Sequence, residues 1–274
     1  MKLIGPMVLL GLLSLGEGEV VTTFLASCPD FFIKDQNAQP VTPTVLSGPQ
    51  YRHICQRYRN SYRFATLYDS QNKIPVYSAY QHTIYQPYKR RSWMVEPQLD
   101  GHTGREMTTE GSAGGPVGGN QAVNSDYTAP YQRGHLYPRC HTCALDQEQS
   151  TFTLTNAAPQ TSKDNIQWYH QVEKLEQAVT AGCNQNTAYV VTGVTPGVVQ
   201  VGNGVNVPSH YWSAYCCRDI NNQNRFISQG YMLQMVGNGG AVANQPTVSA
   251  LNTDLARKYG VPTFRVFGTI VGCS

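Results

Sequence analysis

The stretch that decides the fold runs from Tyr131 to Glu173: YQRGHLYPRCHTCALDQEQSTFTLTNAAPQTSKDNIQWYHQVE. It begins with a short segment that contains the turn-prone pair Arg133-Gly134. Because glycine places no side chain beside its neighbour, His135 can project from the end of a strand at this point. The segment therefore predicts a β-strand that presents one histidine.

A second strand is predicted at residues 151–155 (TFTLT), where apolar and polar side chains alternate, and Pro159 is expected to end it. A helix is predicted next, with Ser162 or Asp164 as its N-cap and Gly182 as its C-cap. Its apolar positions recur at three- and four-residue intervals, at Ile166, Tyr169, Val172, Leu175 and Val179. The stretch thus predicts the order strand, loop, strand, helix.

Two polar residues of this helix point to a metal site. Asn165 lies in the first turn, and Glu173 follows it by two helical turns, which places it about 80° further round the helix. Both side chains can therefore address one side. Such oxygen donors suit Mg²⁺, which keeps several waters and binds substrate phosphates, with Mn²⁺ or Ca²⁺ as alternatives. Zinc would require sulfur or more imidazole.

The spacing of these residues resembles that of a known family. Arg-Gly-His, then Asn156 after the TLT segment, then Asn165 and Glu173, is similar to the DNA/RNA non-specific endonuclease family, whose core is the ββα-metal or His-Me finger. The tripeptide alone is a weak motif, and the spaced set is a strong one. Within that family, the chain resembles the secreted animal branch named for endonuclease domain-containing 1 protein.

The resemblance extends beyond the central stretch. Residues 91–97 (RSWMVEP) resemble the segment that supplies the family's catalytic arginine. Residues 189–193 (YVVTG) and 207–212 (VPSHYW) resemble its later core strands. The match covers roughly residues 55–270. It implies an α+β fold with a mixed or antiparallel sheet, helices and a ββα-metal catalytic core, held together by disulfides.

The resemblance also implies roles for three residues in phosphodiester hydrolysis. His135 would be the general base that takes a proton from the attacking water, a role suited to an imidazole. Asn165 would hold Mg²⁺, which stabilises the leaving oxygen and the developing charge. Glu173 would orient a metal-bound water.

Three further side chains complete the expected site, and a fourth departs from the family. Arg91 and Arg133 are candidates to bind the phosphate, since a guanidinium offers paired donors. Asn156 is expected to position His135 or the substrate. Gln132 stands where the family usually has aspartate. If that aspartate acts through its charge, Gln132 weakens metal binding; if it acts through hydrogen bonds, glutamine can replace it.

A second feature of the sequence is the basic window from Tyr51 to Arg91. It holds eight lysines and arginines against the single acid Asp69, in a chain whose net charge is only +3. Interleaved basic and aromatic residues suit a groove that follows a phosphate backbone and stacks bases. The alternative is a hairpin, Tyr62–Tyr68 with Ile74–Tyr80, whose charges are simply solvated. The predicted nucleic-acid-binding residues are Arg57, Arg59, Arg63 and Arg90.

The sequence also predicts how the chain is divided into segments. Residues 1–18 combine one lysine, an apolar run and small residues, which predicts a cleaved secretory signal. No later stretch approaches the ~20 apolar residues of a membrane helix. We expect residues 19–50 to form an N-terminal arm and residues 51–274 a single domain. Strands are predicted at 188–195, 205–217, 225–236 and 264–271, and a helix at 248–259.

The eight cysteines predict four disulfides in an oxidising compartment. Cys216 and Cys217 adjoin in a predicted strand, so they face opposite ways and need different partners. The motif Cys140-His141-Thr142-Cys143 has three readings: a structural disulfide, a redox pair or half of a zinc site. The first is favoured, because the motif has no helix-start context and no second matching pair.

These observations predict a secreted, Mg²⁺-dependent endonuclease that hydrolyses DNA and RNA to 5′-phosphate products. Its partners would be DNA and RNA, with no membrane after signal cleavage. The alternative is a protein of the same fold that cuts weakly or not at all and binds nucleic acid or a protein partner. A disulfide-handling protein is a third and weaker hypothesis.

Overall fold

The structure is a computed structural model that describes residues 19–82, 91–184 and 188–273. The predicted signal segment, residues 1–18, and the predicted nucleic-acid-binding residue Arg90 lie outside the described residues. Among the described helices, none has the length and apolar character needed to cross a membrane.

A seven-stranded antiparallel sheet forms the centre of the described part. In the order in which they pair, its strands are β1 Val20–Val21, β2 Tyr51–Tyr58, β3 Ser61–Asp69, β4 Ile74–His82, β7 Ala188–Thr195, β10 His210–Arg218 and β11 Phe226–Gln234. The predicted hairpin is confirmed as β3 and β4, and the strand predicted at 188–195 is confirmed as β7. A separate hairpin pairs β8 Val199–Val201 with β9 Val205–Val207.

Each face of the sheet covers a different hydrophobic cluster. On one face, the predicted helix is confirmed as α5, Val248–Tyr259, which buries Leu251 and Leu255. Trp212 of β10 anchors it by donating from Nε1 to Tyr259 Oη at 3.0 Å. On the other face, Trp168 packs against Tyr211 with ring centroids 5.5 Å apart. This second face carries the unit with the predicted catalytic residues.

That unit is a two-stranded sheet of β5, Tyr131–His135, and β6, Ala157–Thr161. The prediction of a strand at 151–155 is wrong, because Thr153 and Thr155 donate hydrogen bonds to buried Glu96 and the chain turns there. Pro159 lies inside β6 rather than beyond it. Each strand of a two-stranded sheet has a free edge, so a residue without an N–H is tolerated.

The helix after β6 departs from the prediction at its start and in its middle. Thr161, not Ser162 or Asp164, is the N-cap, and its Oγ1 accepts from Asp164 N at 3.2 Å. The helix then runs as α3 (Ser162–Trp168), a π turn (Tyr169–Glu173) and α4 (Lys174–Val179). The short helix α2, Leu145–Ser150, lies in the loop between β5 and β6.

The predicted apolar face of this helix is wrong in part. Ile166, Tyr169 and Leu175 are exposed, whereas Trp168 and Val172 are buried. The π turn changes which residues of the helix point toward the sheet. Buried polar side chains, Asp164 before it and Glu176 after it, take some of the inward positions and accept hydrogen bonds there. Asp164 accepts from Gly237 N and Gly239 N, and Glu176 accepts from Ser213 Oγ at 2.6 Å.

Two other sequence predictions are corrected near the C-terminus. The segment predicted as a strand at 205–217 is interrupted at Pro208 and becomes β9 and β10. Residues 264–271 form turns rather than a strand. Gly268 adopts φ +53° there, and the edge of β11 is already bridged at Met232 by Asn244. Phe264 and its neighbours are buried against α5 instead.

Three disulfides occur in the described residues: Cys28–Cys55, Cys183–Cys217 and Cys216–Cys273. The prediction that Cys216 and Cys217 have different partners is confirmed. Cys28–Cys55 joins the segment 19–50, which also contains α1, Phe24–Ser27, to β2. The predicted disulfide between Cys140 and Cys143 is wrong, because both side chains are thiols that donate to different acceptors, Glu173 and Gln147.

Candidate active site

His135 ends β5 between two aromatic rings. Its ring centroid lies 4.8 Å from that of Trp93 and 4.9 Å from that of Phe152. The preceding Gly134 is needed because a Cβ there would collide with Gln160 and Tyr211. The Arg-Gly-His motif thus lets Gln160 and Tyr211 approach the backbone at Gly134, and it places His135 between two aromatic rings.

The burial of His135 also determines its charge. Burial, with the nearby Arg139 guanidinium as a second cause, lowers the pKa of His135 to about 3. Its Nε2 is buried and has no hydrogen-bond partner among the described residues. The imidazole is therefore neutral near neutral pH.

A cavity of about 440 Å³ brings the main predicted residues together. His135 lines it from the end of β5, Asn165 from the first turn of α3, and Glu173 from the π turn. The remaining lining residues are Pro138, Arg139, Cys140, Ile166, Tyr169 and His170. A base, an amide and a carboxylate thus face one space that is open to solvent.

Glu173 is held in this cavity by a buried histidine and a thiol. His141 Nε2 lies 2.9 Å from the Glu173 backbone oxygen, and Cys140 Sγ donates to Glu173 Oε2 at 3.8 Å. Burial raises the pKa of Glu173 to about 7, although the Cys140 hydrogen bond and the Arg139 charge act in the opposite direction. Its carboxyl group therefore titrates near neutral pH in the absence of a cation.

The donors in the cavity fit a hard divalent cation. Asn165 offers an amide oxygen and Glu173 a carboxylate oxygen, the ligand types that Mg²⁺ prefers alongside water. Among the described residues, no group of three or more His, Cys, Asp or Glu side chains is arranged to hold a metal ion. A cation here would therefore depend on the Asn165 amide and on water.

Asn156 does not line the cavity and is fully buried. Its Oδ1 accepts from Ser78 Oγ and from Tyr137 N, both at 2.9 Å. Its Nδ2 donates to Tyr137 O and Thr151 O, both at 3.0 Å. These four bonds fasten the loop after His135 to β4 and to the end of α2, which is a positioning arrangement.

The two arginines predicted to bind phosphate lie outside the lining of the cavity. Arg133 donates from Nη2 to Asn124 O at 3.0 Å, and its guanidinium stacks over the rings of Trp93 and Tyr127. It thereby supports the aromatic wall of His135. Arg91 Nη2 and Nε lie 3.0 and 3.2 Å from the Gln149 amide, whose oxygen can accept from both.

The arginines of the basic window face acids that are distant in sequence. Arg57 lies 3.7 Å from Glu106, while Arg59 and Arg63 lie 2.8 and 3.6 Å from Asp146. The most exposed of these pairs, Arg59 with Asp146, is of the kind that contributes little to stability. Two acids thus oppose three arginines, and of these only Arg59 is well exposed, with 60% of its side chain accessible.

Gln132 lies two residues before Gly134 and is exposed. Successive side chains of a strand point to opposite faces, so Gln132 and His135 leave β5 on opposite sides. Gln132 is also outside the cavity lining. The position of Gln132 therefore argues against the electrostatic interpretation.

Sequence reasoning missed several residues that shape the cavity. Arg139 lines it four residues after His135, and its charge lowers the pKa of His135. Trp93 and Phe152 enclose His135, and His141 holds the backbone of Glu173. The position of Arg139 in the loop after the histidine was the one available signal. The others depend on contacts across the fold.

Comparisons with known proteins agree with this geometry. A family model described as DNA/RNA non-specific endonuclease matches residues 47–263. The human endonuclease domain-containing 1 protein is 38% identical over 184 residues, which are 64% of this chain and 36% of that protein. The mouse protein of the same name is 33% identical over 201 residues, which are 69% and 38%. The chain spans little more than a third of these relatives.

A solved structure shows the same fold. A chain of the crystal structure of the EndoG/EndoGI complex, whose title refers to the mechanism of EndoG inhibition, superposes with a TM-score of 0.55. The two chains are 19% identical, and the match covers 79% of this chain and 87% of that one. At this identity the likeness establishes the fold, an α+β arrangement with the ββα-metal unit, and no more.

Proposed function

This chain belongs to the DNA/RNA non-specific endonuclease family, and from that premise we propose that it hydrolyses phosphodiester bonds of DNA and RNA with a divalent cation. The observation that carries the proposal is the single cavity lined by His135, Asn165 and Glu173. The family supports a nuclease in general. The metal, the products and the roles of the residues are the further content of the proposal.

His135 acts as the general base. It is neutral and lines the cavity, so its imidazole can accept a proton from a water that attacks phosphorus. Because the pKa of His135 is low, its imidazole stays unprotonated in mild acid, but it also binds a proton less strongly. Trp93 and Phe152 hold the ring in position, which reduces the entropy cost of aligning it.

Asn165 and Glu173 form the other side of the reaction space. A Mg²⁺ ion held through Asn165 would supply charge stabilisation for the leaving oxygen and the phosphate. Glu173 accepts hydrogen bonds from water in the cavity and so orients it. Arg139 contributes positive charge to the same cavity, and Arg91 and Arg133 are proposed to bind the phosphate beside it.

Substrate recognition is proposed to follow the backbone rather than the bases. Arg57, Arg59 and Arg63 exchange their contacts with Glu106 and Asp146 for phosphate oxygens. Contacts to phosphate carry no base code, so little sequence preference is expected. We further propose that the protein is secreted; its three disulfides support this, because such bonds persist in oxidising compartments.

The test is cleavage of plasmid DNA and of RNA by the purified protein, with Mg²⁺ and with a chelator. Both substrates should be degraded with Mg²⁺, and chelation should stop the reaction. Mn²⁺ and Ca²⁺ in place of Mg²⁺ establish the cation preference, and end-labelling establishes whether 5′-phosphates are left. Binding without cleavage under every condition would replace the proposal with the non-cutting alternative.

A further inference from the structure

Two large apolar side chains in the lining of the cavity are exposed. Ile166 and Tyr169 have 54% and 40% of their surface accessible, and both line the cavity with His135. Their spacing predicted them as core residues of the helix, but Trp168 and Val172 take the buried positions. Packing in the core therefore does not account for the apolar character of this pair.

The helix places Tyr169 between the two oxygen donors of the site. Asn165 lies four residues before it and Glu173 four residues after it, and all three line the cavity. One helical turn rises about 5.4 Å, so the ring lies about one turn from each donor. A nucleic-acid strand with a phosphate at Asn165 thus has its adjoining bases within reach of this ring.

The surroundings of Tyr169 suit a nucleobase. The His170 ring lies beside it, with ring centroids 5.1 Å apart, and Arg139 adds a positive charge to the same cavity. An aromatic face stacks on any base, and a nearby cation suits the phosphates on either side of that base. Among the described residues that line the cavity, Tyr169 is the one Phe, Tyr or Trp side chain.

We propose that Tyr169, with Ile166 beside it, forms a nucleobase-stacking site in the cavity, and that single-stranded DNA and RNA are therefore bound and cut in preference to duplexes. The preference in cutting rests on the nuclease function proposed above. In a duplex, neighbouring bases cover both faces of each base, so a base must leave the stack before Tyr169 can reach it. In a single strand the faces are accessible, and stacking adds to the affinity without reading the sequence.

The first experiment measures binding apart from cleavage. Fluorescence anisotropy of labelled probes is recorded in the presence of a chelator for the parent, Tyr169→Ala, Tyr169→Phe and Leu175→Ala. The probes are a single-stranded oligonucleotide, the duplex of the same sequence, and an abasic strand of equal length that keeps the phosphates and lacks the bases. Leu175 is a matched control, because it is 42% exposed further along the same helix but lies outside the cavity lining. Circular dichroism checks the fold of each variant.

The parent should bind the single strand more tightly than the duplex or the abasic strand. Tyr169→Ala should weaken binding of the single strand by about tenfold, the order that stacking on one base contributes, and should leave binding of the abasic strand unchanged. Tyr169→Phe keeps the ring and should bind within about twofold of the parent. Leu175→Ala should bind like the parent.

Three results would overturn the stacking site. The first is a parent that binds the abasic strand as tightly as the oligonucleotide. The second is a Tyr169→Ala variant that binds the single strand like the parent. The third is an equal loss on both strands in that variant, since the ring would then act on the phosphates or on the fold. A parent that binds the duplex as tightly as the single strand would overturn the preference.

Failure of the nuclease proposal gives a different result. Cleavage of the same single strand and duplex is measured with Mg²⁺, and Tyr169→Ala should lower the ratio of the single-strand rate to the duplex rate by about tenfold. An unchanged ratio would overturn the preference in cutting. If no form of the protein cuts, binding in the chelator still decides the stacking site, and the claim about cutting is rejected.

Discussion

Asn156 offers the clearest separation between positioning and chemistry, and we predict that Asn156→Ala destabilises the fold strongly. The buried amide makes four hydrogen bonds, to Ser78 Oγ, to the backbone N and O of Tyr137, and to Thr151 O. An alanine side chain can form none of these hydrogen bonds. The three backbone groups and the Ser78 hydroxyl would then be buried without their partner.

The expected loss follows from these contacts. A hydrogen bond contributes about 1 kcal/mol net, so four of them give about 4 kcal/mol. That is a large part of the roughly 5–15 kcal/mol by which a domain is stable. Asn206 provides a matched control, because this buried asparagine makes two amide bonds, with the N and O of Gly197. Asn206→Ala should cost about 2 kcal/mol.

The assay is urea denaturation of the parent and of both variants, followed by circular dichroism. The midpoint for Asn156→Ala should fall about twice as far as that for Asn206→Ala, with unchanged slopes. If Asn156→Ala unfolds at the same urea concentration as the parent, the amide is not a structural anchor. A direct role for Asn156 in substrate binding would then be the better explanation of its place in the motif.

Three further outcomes are expected. Burial raises the pKa of Glu176 from its ordinary 4.5 to about 8, so the parent loses stability as pH rises through that interval. In thermal melts, Glu176→Gln should therefore be more stable than the parent at pH 9, by on the order of 4 kcal/mol. At pH 4 the two proteins should not differ in this direction. Gln132→Asp should leave the Mg²⁺ dependence of cleavage superimposable on the parent's; a lower requirement would restore the electrostatic role. Arg57→Ala with Arg59→Ala should weaken DNA binding and flatten its salt dependence, and an unchanged slope would exclude the patch.

The sequence predicted those elements whose signals are local. The β3–β4 hairpin has its turn residues between two alternating strands, and α5 has its apolar spacing and a Gly260 C-cap. The separate partners of Cys216 and Cys217 follow from strand alternation alone. In each case the deciding interaction lies within a few residues, so the pattern and the structure agree.

The failures share a long-range cause. The alternating TFTLT segment satisfies the pattern of a strand, yet its threonines bind Glu96, more than fifty residues earlier. The basic window looked unopposed because Glu106 and Asp146 are distant in sequence. Likewise, the π turn at 169–173 has no signature in side-chain spacing, and it changed which face of the helix is buried.

The site shows the same division. The motif spacing led to His135, Asn165 and Glu173, which do share one cavity. It did not reveal Arg139 or the thiol of Cys140, since their positions depend on how the loop after β5 folds against the π turn.

The central claim is that His135 is the general base of a metal-dependent nuclease, and one measurement tests it most directly. Plasmid cleavage with Mg²⁺ is compared for the parent, His135→Ala and His102→Ala, with folding checked by circular dichroism. His102 is a matched control, because its ring contacts Pro116 O outside the cavity. The account predicts that His102→Ala cuts like the parent and that folded His135→Ala is slower by about a hundredfold or more. A folded His135→Ala that cuts at the parent's rate would contradict it.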